Sequence, residues 1–111
     1  MKDDIEFLRL WDLYSPLLTA TQREITDLYF NYDLSLGEIA EQKGVSRQSV
    51  SDCLNKSRKQ LEGYEAKLHL VEKFLSVKKK VQQMDELLEA EQQNERIQHV
   101  RQIAGEILEE L

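Results

Sequence analysis

The stretch Leu36-Gly-Glu-Ile-Ala-Glu-Gln-Lys-Gly-Val-Ser-Arg-Gln-Ser-Val-Ser-Asp-Cys-Leu-Asn55 decides the fold. It falls into two short helical segments separated by a glycine. Ser35 and Glu38 make a capping box at the head of the first segment, and Ser46 is placed to cap the second. Ala40 is small enough for the two helices to approach closely. Gly44 stands where a left-handed residue must end the first helix, a conformation glycine takes without strain. Ile39, Val45, Val50 and Cys53 are expected to point inward and lock the pair. Two helices crossing steeply over a short glycine-containing turn make a helix-turn-helix. An ordinary helical hairpin would need the glycine alone; caps, small residue and apolar positions in register favour the helix-turn-helix.

Working outward, helical spacing continues on both sides. Upstream, Ile5, Leu8, Trp11 and Leu13/Tyr14 predict a helix from about Asp4 to Tyr14, which Ser15-Pro16 ends. Thr21 and Glu24 form a second candidate capping box, followed by Ile25, Leu28 and Tyr29 with Tyr32 extending the stripe; Asn31-Tyr32-Asp33 is a turn. Downstream, Leu61, Tyr64, Leu68, Val71 and Leu75 continue the period through Val77, Val81, Met84 and Leu88. Gly63 is expected to kink or interrupt it. Asn94 is placed to cap a last helix with Ile97, Val100, Ala104, Ile107 and Leu111 on one face. The fold class is therefore all-α: a helix-turn-helix domain in residues 1–62 (motif 35–60) and C-terminal helices in 63–111. Those helices either fold back over the first helix and complete its core or form a dimer seam.

Composition bounds the function. The chain has 111 residues, 41% hydrophobic and 32% charged, with 4 Gly and 1 Pro. No apolar run approaches the roughly 20 residues of a membrane span, and the opening Met1-Lys2-Asp3-Asp4 does not read as a secretory signal. One Cys cannot form an internal disulfide, which fits a reducing cytoplasm. The net charge of −6 hides a segregation: residues 1–44 carry −5, residues 45–80 carry +5 and residues 81–111 carry −6. A basic middle between acidic ends is a local footprint for polyanions, although charged residues also simply solvate helices. Lys78-Lys79-Lys80 reads first as such a solvated face. His69 and His99 stand far apart without Cys or His neighbours, so no metal site is expected. No nucleophile–base arrangement, phosphate loop or other cofactor motif appears. A binding protein is expected rather than an enzyme.

The pattern Ser35-Leu36-x-Glu38-Ile39-Ala40-x4-Val45-Ser46-x3-Val50-x3-Leu54, with Gln22-Arg23-Glu24 before it, resembles the C-terminal helix-turn-helix region of bacterial sigma factors. The whole chain, including Leu13-Tyr14-x-Pro16-Leu17-Leu18-Thr19 and Tyr64-Glu65-x-Lys67-Leu68, resembles the YlxM family. That resemblance implies a DNA-binding or regulatory protein, associated with the signal recognition particle pathway by gene neighbourhood. Ser51, Asp52 and Cys53 depart from the sigma pattern, which usually carries basic residues in place of Ser51 and Cys53.

In such a motif the second helix enters the major groove. Arg47, Gln48, Ser51, Asp52 and Asn55 are the expected base-reading positions: Arg47 for guanine, Gln48 or Asn55 for adenine, Asp52 as an acceptor from cytosine. Lys56 and Lys59, one turn later, suit phosphates, as would Arg58 if it faced the same way. The helix starts at Thr21-Gln22, Ser35 and Ser46 are expected to offer further phosphate contacts. Asp52 repels phosphates, and with the acidic ends it favours a rival: a protein-interaction or RNA-binding module of the secretion machinery on a retained helix-turn-helix scaffold.

Overall fold

The computed structural model describes residues 4–91 and 93–111, and among them every regular element is a helix. The helices are α1 (Ile5–Tyr14), α2 (Ala20–Phe30), α3 (Leu36–Lys43), α4 (Arg47–Leu68), α5 (Leu70–Leu88) and α6 (Glu95–Glu110). Short 3-10 turns lie at Ser15–Leu17 and Glu89–Glu91. The chain divides into two compact units, Met1–His69 and Leu70–Leu111.

In the first unit, Asp4 caps α1 by accepting the Phe7 N–H at 3.1 Å. Pro16 sits in the following 3-10 turn, where it needs no N–H of its own. The buried face of α1 differs from the predicted stripe. Phe7 and Tyr14 are its buried residues, while Ile5 is 63% exposed. Aromatic rings set this phase, because they carry the largest apolar area. Phe7 stacks on Phe30 with centroids 4.0 Å apart, and the Tyr14 hydroxyl donates to Glu65 at 2.6 Å. Trp11 donates its indole N–H to the hydroxyl of the buried Thr26 at 2.7 Å.

Helix α2 starts earlier than the Thr21–Glu24 box implies. Thr19 is the cap, and its capping box is closed by Gln22, which accepts the Thr19 N–H through its side-chain oxygen. The 3-10 turn that contains Pro16 delivers an extended Leu18 and Thr19, so the helix starts from Thr19. Tyr32 does not extend the α2 stripe: it is exposed in the turn, beside Asp33 at φ 56°.

Ser35 and Glu38 form the capping box of α3 as the sequence predicts. Gly44 ends α3 at φ 67°, and the Val45 N–H bonds to the Ala40 carbonyl at 3.0 Å. Val45 itself is 45% exposed, so it serves the turn through its backbone rather than as an inward plug. Ile25, Ile39, Ala40, Val50 and Leu54 form the core here, with half-buried Cys53 packed against it. Burial pushes the Cys53 thiol up, which keeps it protonated.

Helix α4 runs through Gly63 without interruption and ends at His69, which takes the left-handed conformation at φ 54°. Contacts on either side of Gly63 outweigh its weak propensity: Leu61 is fully buried, Tyr64 packs on Tyr14, and Glu65 accepts the Tyr14 hydroxyl. It is α4 that covers α1. Arg58 faces α1 rather than solvent: it pairs with Asp4 at 2.6 Å and Glu62 at 2.9 Å, with its guanidinium 5.6 Å from the Phe7 ring centre.

In the second unit α5 and α6 pack on each other. Phe74, Val77, Val81, Met84 and Leu88 recur at alternating steps of three and four along α5. Ile97, Val100, Ala104, Ile107 and Leu111 do the same at α6, which Asn94 caps by accepting the Arg96 and Ile97 N–H groups. Val81 and Ala104 are buried where the stripes meet, and Arg101 pairs with Asp85 at 3.0 Å. A cavity of about 110 Å³ lies in the seam, lined by Val81, Met84, Leu88, Val100, Ile103, Ala104 and Ile107.

Two measurements test this account. A Cβ at Gly44 or at Gly63 would meet no atom within 4 Å, so backbone conformation alone separates the two sites. Gly44→Ala is expected to destabilise the protein by roughly 1–2 kcal/mol, through left-handed strain. Gly63→Ala is expected to stabilise by about 0.5–1 kcal/mol, both read by denaturant unfolding. The hydrogen bond from Arg58, reinforced by the Phe7 N–H, holds the Asp4 carboxyl below the usual carboxylate range. A depressed carboxylate pKa gives stability that is present above the unfolded value and lost as pH falls through the folded one. Asp4→Asn keeps a good cap but removes the charge, so its melting temperature should lie below wild type at pH 7 and converge with it in acid.

Candidate nucleic-acid interface

Helix α3 is seated behind the first turns of α4, and the residues that hold it there are all on one side. Ile39 and Val50 are fully buried and Leu54 nearly so. That leaves the opposite side of α4 to solvent. Ser46 caps α4 by accepting the Ser49 N–H at 3.0 Å, so the helix starts cleanly at Arg47.

Arg47, Gln48, Asp52 and Asn55 are exposed, and Ser51 is half-buried. They recur at steps of three and four and therefore share one helical face with Lys56 and Lys59. Asp52, Asn55, Lys56, Lys59 and Gln60 line a shallow open depression of about 550 Å³ along that face. Ser35 and Ser46 stand exposed at the heads of α3 and α4. Each hydroxyl accepts a backbone N–H, from Glu38 at 3.1 Å and Ser49 at 3.0 Å, which leaves its own proton to donate.

Three placements differ from the simplest expectation. Gln22 is buried, with its side-chain oxygen on Thr19 and its amide nitrogen donating to Gln60 at 2.8 Å. Thr21 is exposed inside the first turn of α2 rather than capping it. The guanidinium of Arg47 lies back over Gly37, so close that a Cβ there would come within 2.8 Å of it.

The exposed face of α4 is also internally wired. Gln48 donates its amide to Asp52 at 2.8 Å, one turn along α4. Asp52 thus holds the group expected to read adenine, and releasing it would require another donor for the carboxylate. Gln60 was absent from the expected set, yet it completes the depression and ties α4 to α2 through Gln22. Its spacing of four from Lys56 and eight from Asp52 is the signal that would have found it. Arg58 turns inward, and the cations of this face are Arg47, Lys56 and Lys59.

Among the described residues no helix is long and apolar enough to cross a membrane. A family described as "UPF0122: Putative helix-turn-helix protein, YlxM / p13 like" matches residues 1–103. A UPF0122 protein of Thermoanaerobacter sp. (strain X514) is 38% identical over 112 residues, covering 100% of this chain and 96% of its own length. One from Caldanaerobacter subterraneus subsp. tengcongensis is 45% identical over 89 residues, 79% of this chain and 76% of that protein. One from Latilactobacillus sakei subsp. sakei is 52% identical over 65 residues, 59% of this chain and 58% of that protein. With the turn at Gly44 and both caps in place, a match of this extent means that the chain belongs to the UPF0122 family of YlxM / p13-like helix-turn-helix proteins.

Proposed function

We propose that this protein is a DNA-binding regulatory protein of the cytoplasm, reading duplex DNA with the first three turns of α4. The observation that carries the reading is the solvent-facing row from Arg47 to Lys59, presented by a helix whose other side is locked against α3. A helix held in that way enters a major groove with its N-terminal residues at the base edges. Arg47, Gln48, Ser51, Asp52 and Asn55 are the proposed reading residues. Ser35, Ser46, Lys56 and Lys59 are the proposed phosphate contacts, with Thr21 at the edge of α2. Gln22 contributes by holding α2 to Gln60 rather than by reaching a phosphate. No catalytic group is proposed.

The lysines set register and affinity, and the row before them sets sequence preference. One head makes roughly three to five phosphate contacts, so binding is modest and steeply salt-dependent. Useful occupancy therefore calls for a second head or a partner.

A second reading is favoured by one specific feature, the Gln48–Asp52 pair on the reading face. A carboxylate there repels phosphate and suits a protein surface with exposed donors. In that reading the motif is a scaffold for protein or RNA contact, and components of the signal recognition particle are the partners that the family resemblance implies.

Fluorescence anisotropy with duplex DNA at two salt concentrations separates the readings. Expected are saturable binding, a log–log salt slope near −3 to −4 in proportion to roughly four contacts, and a clear loss with Lys56→Glu. Arg47→Ala should relax sequence preference by roughly 1–3 kcal/mol at one position. Asp52→Asn should tighten binding, because it removes the charge while keeping an acceptor for Gln48. If none of these substitutions changes anisotropy, the DNA reading is wrong and the scaffold reading stands.

A further inference from the structure

The Leu70–Leu111 unit is only roughly forty residues long. Chains of that size seldom close a core without a disulfide, a metal or a second chain. This segment contains no cysteine. Its apolar surface is correspondingly unfinished. Met84 and Ile103 border the α5–α6 cavity yet are 53% and 42% exposed, and Leu87 is 81% exposed. A pair of helices meeting along one seam buries a narrow stripe; an apolar face that spreads beyond it belongs in a bundle of more helices.

Charge says what the extra helices are. The first half of α5 carries Lys73, Lys78, Lys79 and Lys80 against Glu72, while its second half carries Asp85 and Glu86, followed by Glu89. Helix α6 changes sign less sharply, with Glu95, Arg96 and Arg101 in its first half and Glu106, Glu109 and Glu110 in its last; it runs back along α5, and its Arg101 is already paired with Asp85 of the same hairpin. A helix that changes sign at its middle is complementary to a copy of itself run in the opposite direction, and repels a parallel copy. We infer that the open α5–α6 face is the docking surface for a second copy of this chain. The two hairpins stack about a two-fold axis level with Val81–Met84, and make an antiparallel four-helix bundle. In it Lys78–Lys80 of one copy face Asp85, Glu86 and Glu89 of the other, and Met84 and Ile103 become buried. The same patch serves both copies, as a closed dimer requires. Self-association of this kind is independent of what the reading face of α4 binds, and it would supply two reading heads per particle.

Sedimentation equilibrium of the full chain from low to high micromolar concentration tests it. The expected result is a mass rising from the 13.1 kDa of one chain to about twice that value. Met84→Glu with Ile103→Glu should weaken dimerisation by at least about tenfold while far-ultraviolet circular dichroism keeps its helical signal. Because the pair could instead unfold the hairpin, charge reversal provides a second arm. Lys79→Glu and Glu86→Lys should each weaken the dimer, and the two together should restore much of the loss, as opposed charges exchanged across a two-fold axis do. A constant mass of one chain at every concentration overturns the inference. So does a dimer indifferent to all four substitutions, since its seam then lies elsewhere. Should the chain stay monomeric, hydrogen exchange on α5 and α6 identifies the alternative occupant. Protection there means another segment of the chain covers the face, and rapid exchange leaves it for a foreign partner.

Discussion

A single backbone hydrogen bond organises the first unit: the Val45 N–H on the Ala40 carbonyl, closed across Gly44 at φ 67°. An L-residue with a Cβ would meet a steric penalty in that conformation, and an α-helix continued through it would never bring Val50 back to Ile39. The turn therefore fixes the crossing of α3 and α4, and the crossing fixes which side of α4 is buried. Everything offered to solvent from Arg47 to Lys59 is what remains after Ile39, Ala40, Val50 and Leu54 have closed on one another. The depth of the crossing is limited by Ala40, which is almost fully buried.

Helix α4 joins this head to the rest of the unit, because one continuous rod performs two tasks. Its first turns carry the exposed row, and its later turns hold α1 through Arg58, Tyr64 and Glu65. Ser57 is fully buried, and its hydroxyl donates to the Cys53 carbonyl at 2.7 Å, so its polar group is satisfied within its own helix. Arg58 then spans three partners at once: the carboxylates of Asp4 and Glu62 and the Phe7 ring. The direction of α4 is held by α3 at its start and by α1 further along, which is what the proposed reading role requires of it.

Local rules explain how much of this was legible. The α3 box, the Gly44 turn and the Ser46 cap are decided within five or six residues, and they stand where the pattern puts them. The box expected at Thr21 gives way to one at Thr19, because the 3-10 turn that contains Pro16 leaves Leu18 and Thr19 extended. The phase of α1 depends on a ring more than twenty residues away, Phe30, and no periodicity within Asp4–Tyr14 contains that information. Gly63 is a case of tertiary contact overriding propensity: the roughly 1 kcal/mol cost of a helical glycine is small beside the burial of Leu61. In the site, exposure followed from helical phase and was legible for Gln48, Asp52, Asn55 and the two lysines. Side-chain engagement was not. The Gln48–Asp52 hydrogen bond, the capture of Gln22 by Gln60 and the fold-back of Arg47 over Gly37 are choices among rotamers, and spacing does not rank them.

The acidic total charge and the proposed polyanion-binding face are compatible because they act over different ranges. Coulomb interactions between exposed groups are screened over about 8 Å at physiological ionic strength. The charge of −6 on the whole chain slows the approach of any polyanion from a distance, chiefly at low salt. Contact energy is set within a few ångströms of α4, where Lys56, Lys59 and Arg47 stand against Asp52. Removing one carboxylate there changes the local balance more than several at the ends of the chain. On either proposed reading of the face, Asp52 would therefore act as a tuning residue. Its charge opposes phosphate at close range, and its carboxylate accepts the Gln48 amide at 2.8 Å.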